Sequence, residues 1–190
     1  MTNRQINCEK KDSVCIVTMN HSLTTGINLN LIQELDKACG EITADPGIKV
    51  VIITGTGNIF SDDSVPESKI AEEADILFPI SIPSILSQLT CPVIAAINGD
   101  AIGTGLELAL ACDIRIAVES ARFGLSQIKS GRMPHHGGTQ LLPRIVGKAK
   151  AIEMILTGEF IGAREALDTG LVTRIVAADE LFTAVSALST

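Results

Sequence analysis

At 190 residues the chain has the length of one domain, and a domain of that size buries roughly 70% of its unfolded surface. Hydrophobic residues make up 46% and charged residues 19%, the balance of an ordinary globular protein with no signature of disorder. Fifteen Lys and Arg against 22 Asp and Glu leave a net charge of −7, which argues against a general nucleic-acid binder. A local anion site stays open, because a few cations or backbone N–H groups suffice for phosphate. The opening MTNRQINCEKKD is polar, with no apolar signal core, and no apolar run approaches the ~18 residues of a membrane span. No membrane partner and a cytoplasmic location are expected. Cys8, Cys15, Cys39, Cys91 and Cys112 lack CxxC or metal spacing and read as reduced thiols, several of them acting as small hydrophobes.

In chain order, Val14 to Met19 alternates and predicts a strand after the Lys11-Asp12-Ser13 turn. Leu31, Ile32, Leu35, Cys39 and Ile42 recur at helical spacing between Asn28 and Ile42, and Asp45-Pro46-Gly47 ends that helix. Val50 to Thr54 is a short apolar strand bounded by Gly55 and Gly57. A helix is expected in part of Glu67 to Leu89, broken or bent by Pro79 and Pro83. Cys91 to Ile97 predicts a buried strand, Gly103 to Ala111 a helix opening in a glycine-rich turn, and Asp113 to Ala117 another strand. Helices follow over Gly138–Val146, Ala149–Leu156 and Ala163–Thr169, then a strand over Leu171–Val176 and a last helix over Ala178–Leu188. Short strands alternating with helices predict a layered α/β domain, and no linker or repeat divides residues 1–190.

The run PVIAAINGDAIGTGLELALACDIRIAVESARFG, Pro92 to Gly124, resembles the signature of the enoyl-CoA hydratase/isomerase (crotonase) superfamily. So does GGTQLLPRIVGKAKAIEMILTGEFIGAREALDTGLVTRIV, Gly137 to Val176, and the N-terminal elements are similar in order and spacing. The resemblance implies a crotonase/ClpP-like spiral of repeated strand–strand–helix units. It also implies an acyl-CoA thioester as substrate, coenzyme A entering as part of that substrate and not as a cofactor. Members of the family hold an oxyanion on the thioester carbonyl with two backbone N–H donors, and one such donor is worth of order 10²–10³ in rate.

Carried onto this chain, one donor falls on Thr104 in the Gly103-Thr104-Gly105 turn, where the family has three glycines. The other falls on Ser64, in a Ser61-Asp62-Asp63-Ser64-Val65 loop that departs from the family's small Ala-Gly-Ala-Asp pattern. Ser64, Val65, Gly103 and Gly105 are the expected substrate-binding positions. The family's first catalytic carboxylate matches Glu107, against the plainer expectation of a glutamate on an exposed helix face. The second matches Gln127 of Leu125-Ser126-Gln127, and an amide cannot exchange a proton near neutral pH. Gln127 is therefore expected to orient water or substrate beside Glu107 as the single base.

Three other patterns carry less. Gly103-Thr104-Gly105 has Leu108 where a dinucleotide fingerprint needs its third glycine. His135-His136 with His21 makes a metal site only if the fold gathers them, so no metal is expected and loop polarity is the plain reading. The bulky pair could also narrow the acyl pocket or supply an acid/base group. Ser126 and Ser130 have no visible triad partners. Relatives of this type continue into further helices that close the site and build trimers, so a homo-oligomer (trimer or hexamer) is implied and a short helical tail expected. Two alternatives stand beside the hydratase/isomerase: a degenerate CoA-ester-binding homologue, and a thioester hydrolase or decarboxylase on the same scaffold.

Overall fold

The computed structural model describes residues 4–20, 26–62 and 81–188. The chain opens with β1 (Ile6–Lys11) and β2 (Val14–Met19), an antiparallel hairpin pairing Ile6 with Met19 and Lys11 with Val14. Asp12 turns the hairpin with φ 53°, a conformation Asp tolerates better than most residues. Strand β1 escapes the sequence pattern because five of its six residues are exposed, leaving no apolar alternation to read. Helix α1 (Leu29–Thr43) follows, capped by Asn28 Oδ1 accepting from the Leu31 N–H at 2.9 Å. It buries Leu31, Ile32, Leu35, Ala38, Cys39 and Ile42, one continuous face.

Three successive segments then repeat one plan. Each sends a long strand into a first sheet and a very short strand into a second: β3 (Val50–Gly55) and β4 (Ile59–Ser61), β5 (Val93–Ile97) and β6 (Asp100–Ile102), β7 (Ile114–Val118) and β8 (Arg122–Gly124). With β9 (Ile161–Gly162) and β10 (Arg174–Val176), the sheets order as β1-β2-β3-β5-β7-β10 and β4-β6-β8-β9. From β2 through β10 the first sheet is parallel, and β3 and β5 are buried at every residue. Strands covered on both faces read as unbroken apolar runs, which is why these two were legible in the sequence.

The remaining described helices are α2 (Ile82–Leu86), α3 (Thr104–Ala111), α4 (Gly138–Val146), α5 (Lys148–Thr157), α6 (Ala163–Asp168) and α7 (Leu181–Ser186). Of the helix expected within Glu67 to Leu89, residues 63–80 lie outside the described residues, and Ser81 caps the part seen as α2. The last strand is shorter than expected, and the last helix splits into a 3₁₀ turn (Ala178–Glu180) and α7. Cys15, Cys39 and Cys112 lie in the core, and burial pushes the thiols of Cys39 and Cys112 up to about 12. Among the described residues no helix is long and apolar enough to cross a membrane.

Asn98, between β5 and β6, fixes the crossing from the first sheet to the second. Its Nδ2 donates to the carbonyls of Gly55, Gly57 and Ile59 at 3.1, 2.9 and 3.2 Å, and its Oδ1 accepts from the Gly55 N–H at 3.1 Å. Gly99 follows where a Cβ would stand 1.8 Å from the Asn58 oxygen. One amide thus satisfies the loop that leads from β3 into β4. Asn98→Ala should lower stability by about 1–3 kcal/mol in urea unfolding, because it strands those loop carbonyls. A loss below about 0.5 kcal/mol would contradict this role.

Candidate active site

The site is built where β6 turns into α3. Gly103 adopts φ 60° and ψ −125°, a combination that residues with a Cβ avoid, and its N–H donates to the Gly124 carbonyl at 2.8 Å. Thr104 is therefore the first helical residue, and its N–H lies in the turn that has no intrahelical acceptors and carries the positive end of the helix. Gly105 faces Ser61: a Cβ there would stand 2.5 Å from Ser61 Cβ and 2.9 Å from the Ser61 oxygen. The Ser61-Asp62 strand end thus passes directly beside the first turn of α3. Ser64 and Val65, expected to supply a donor and a substrate contact, lie outside the described residues.

Glu107 stands one turn into α3 and is fully buried, so the exposed-face expectation fails. A carboxylate cannot be buried bare. Its Oε1 accepts from the backbone N–H groups of His136 at 2.8 Å and Gly138 at 2.9 Å, and its Oε2 accepts from Gln127 Nε2 at 3.1 Å. The two backbone donors stand at the start of α4, whose cap residue Gly137 (φ 97°) offers no side chain. Glu107 fills that role from another element. A Cβ at Gly138 would stand 3.0 Å from Glu107 Oε1, so a larger residue there would have to push the side chain aside by a few tenths of an ångström.

Gln127 arrives on the 3₁₀ turn Ser126–Ser130 that follows β8, which joins it to Glu107 across 20 residues of sequence. Ser130 Oγ donates to the Gln127 carbonyl at 3.0 Å, so that hydroxyl closes the turn. Arg115, buried on β7, was not singled out by its sequence pattern. Its Nε donates to the Leu171 carbonyl at 2.7 Å and its Nη1 to the carbonyls of Cys112 (2.6 Å) and Ala109 (3.4 Å). It thereby holds the C-terminal end of α3, the helix that carries Glu107, against the segment entering β10.

Residues 9–189 match the family model described as "Enoyl-CoA hydratase/isomerase". The "Probable enoyl-CoA hydratase echA8" of Mycobacterium bovis is 38% identical over an alignment of 198 residues, covering all of this chain and 76% of that protein. The short-chain-enoyl-CoA hydratase of Clostridium acetobutylicum is 38% identical over 180 residues, covering 91% of this chain and 69% of its own length. This chain belongs to the enoyl-CoA hydratase/isomerase family. A crystal structure of enoyl-CoA hydratase from Mycobacterium avium superposes with a TM-score of 0.86 at 35% identity, over 98% of this chain and 79% of that one. The strand–strand–helix spiral is thus the crotonase fold.

Within this family fold the two histidines part company. His135 is exposed, but His136 is only 3% exposed, so loop polarity does not describe it. Burial first, then the neighbouring His135, pushes the His136 imidazole down to about 4, which leaves it neutral at physiological pH with no cationic proton to donate. His21 lies outside the described residues, and among the described residues no cluster of His, Cys, Asp and Glu is placed to hold a metal.

Between pH 6.5 and about 4 the unfolded chain takes up a proton at His136 that the folded protein refuses. Stability should therefore fall on acidification through that window, by of order 2 kcal/mol from pH 7 to pH 5 at this residue. The difference in urea-unfolding free energy between the two pH values should shrink in His136→Asn by about that amount. An equal pH dependence in parent and variant would contradict the burial of a neutral imidazole.

Proposed function

We propose that this chain acts on an acyl-CoA thioester, with Glu107 as its single general base and the Thr104 and Ser64 N–H groups as oxyanion donors. The observation that carries the reading is a buried carboxylate that accepts from Gln127, His136 and Gly138, one turn into a helix whose first N–H is Thr104. Glu107 takes a proton from the acyl chain, and the charge that develops on the thioester oxygen is met by the two N–H donors. Return of the proton to a different carbon moves a double bond. Addition of water to the enoyl group is slower, because Gln127 orients a water or substrate atom but has no proton to exchange. Gly103 and Gly105 line the acyl-CoA path, Ser64 and Val65 are the further substrate-binding positions that the family resemblance implies, and a homo-oligomer, a trimer or a hexamer, is the assembly that fits the family.

A second reading is favoured by one feature of the site. Glu107 is also the cap of α4, and Gln127 bonds it directly, an arrangement that would survive in a CoA-ester binder without turnover. Hydrolysis or decarboxylation of the thioester has no comparable support in the residues at the site.

Glu107→Gln separates these readings. The amide oxygen still accepts from His136 and Gly138, and Gln127 can turn its own oxygen toward the new amide, so the fold is retained. Turnover of a panel of enoyl-, dienoyl- and 3-hydroxyacyl-CoA esters, followed by mass spectrometry, should drop about 100-fold or more with ligand affinity nearly unchanged. Gln127→Glu should raise hydration by a similar factor, since two carboxylates in contact share a proton and one becomes the missing acid. Turnover indifferent to Glu107→Gln would remove Glu107 from the chemistry. Ester binding with no turnover of any panel member would establish the binder.

A further inference from the structure

Residues paired across a hairpin share a face, so Ile6, Cys8 and Lys10 of β1 lie on the same side as their partners Met19, Val17 and Cys15 of β2. That is the face β2 buries. Cys8 and Cys15 are therefore diagonal neighbours, brought together by the turn at Asp12. Their thiols lie side by side, with the Cys15 S–H donating to the Cys8 sulfur.

The two thiols differ in access and in charge. Cys15 is buried, and giving its proton to the Cys8 sulfur, together with burial, pushes its thiol up. Cys8 is exposed on β1, the edge strand of the first sheet. The hydrogen bond from Cys15 holds the Cys8 thiol below its usual range, against partial burial and Glu41, and Arg4 acts in the same direction as Cys15. An accessible thiolate is the reactive form of cysteine. Cys39, Cys91 and Cys112 are all raised by burial, and none of them is exposed.

We propose that Cys8 and Cys15 form an oxidisable pair that reacts with hydroperoxides, Cys8 as the attacking sulfur and Cys15 as the resolving one. The Cys8 thiolate attacks one oxygen of hydrogen peroxide, the O–O bond breaks, and the other oxygen leaves as hydroxide and takes a proton to become water. Cys8 is left as a sulfenic acid. The Cys15 sulfur then attacks the Cys8 sulfur, the S–O bond breaks, and the hydroxyl leaves with the Cys15 proton as a second water. Two thiols lose two electrons and the peroxide takes them. Diagonal positions stand about 7–8 Å apart at Cα and a disulfide spans up to about 6.8 Å, so β1 draws in by about 1 Å. A strand bonded to a neighbour on one side only has room for that shift.

Trypsin cuts after Lys10 and Lys11, between the two cysteines, so the bond is read as two peptides joined. After brief treatment of the full chain with hydrogen peroxide and alkylation of the remaining thiols, those peptides should be recovered linked, and dithiothreitol should separate them. Cys39 and Cys112 should stay free and take the alkylating agent. Cys15→Ser keeps a donor beside Cys8 but removes the resolving sulfur, so dimedone should capture at least about tenfold more Cys8 sulfenic acid than in the parent. Both thiols still free after peroxide, Cys8 oxidised while Cys15 stays free, or Cys8 bonded to a second chain would each overturn the inference. If the variant fails to fold by circular dichroism, the parent's peptides still decide.

Discussion

A carboxylate inside a protein has to be met by donors, and the way Glu107 is met organises everything around it. Its two oxygens gather backbone N–H groups from the start of α4 and an amide from the turn after β8, so one side chain on α3 ties three separate segments together. The contacts that tie these segments together are also the ones that satisfy the buried side chain.

The surrounding fold serves to hold that carboxylate and the Thr104 N–H in fixed relation. Gly103 sets the angle at which α3 leaves β6, while Arg115 gathers the carbonyls at the helix's far end. Gly105 lets the Ser61 strand end pass within contact of the first turn, and Asn98 fixes the loop before that strand. Each device is a close approach or a satisfied backbone group. None adds a reactive atom of its own.

Much of this was legible in the sequence because burial on both faces writes itself as apolar runs. Strands β3 and β5 and the amphipathic α1 were readable on that ground alone. The family-like segments placed Glu107 and Gln127 in the site, and the structure brings them into direct hydrogen-bond contact. What stayed hidden has physical reasons. Strand β1 is nearly all exposed, and β4, β6, β8 and β9 are two or three residues long, too short for any period to register. Asn98 and Arg115 act through backbone carbonyls distant in sequence, which leave no local pattern. The adjacent His135 and His136 looked equivalent on paper, yet the chain's path buries only the second.

The central claim is that Glu107, held by Gln127, His136 and Gly138, removes a proton from an acyl chain bound as its CoA thioester. Isotope exchange reads that step even where no net product accumulates. Butyryl-CoA incubated with the protein in D₂O should gain deuterium beside the thioester carbonyl, detected by mass spectrometry, and Glu107→Gln should slow the uptake about 100-fold or more. Uptake at the same rate in parent and variant, or none in a parent shown to bind the ester, would contradict the account.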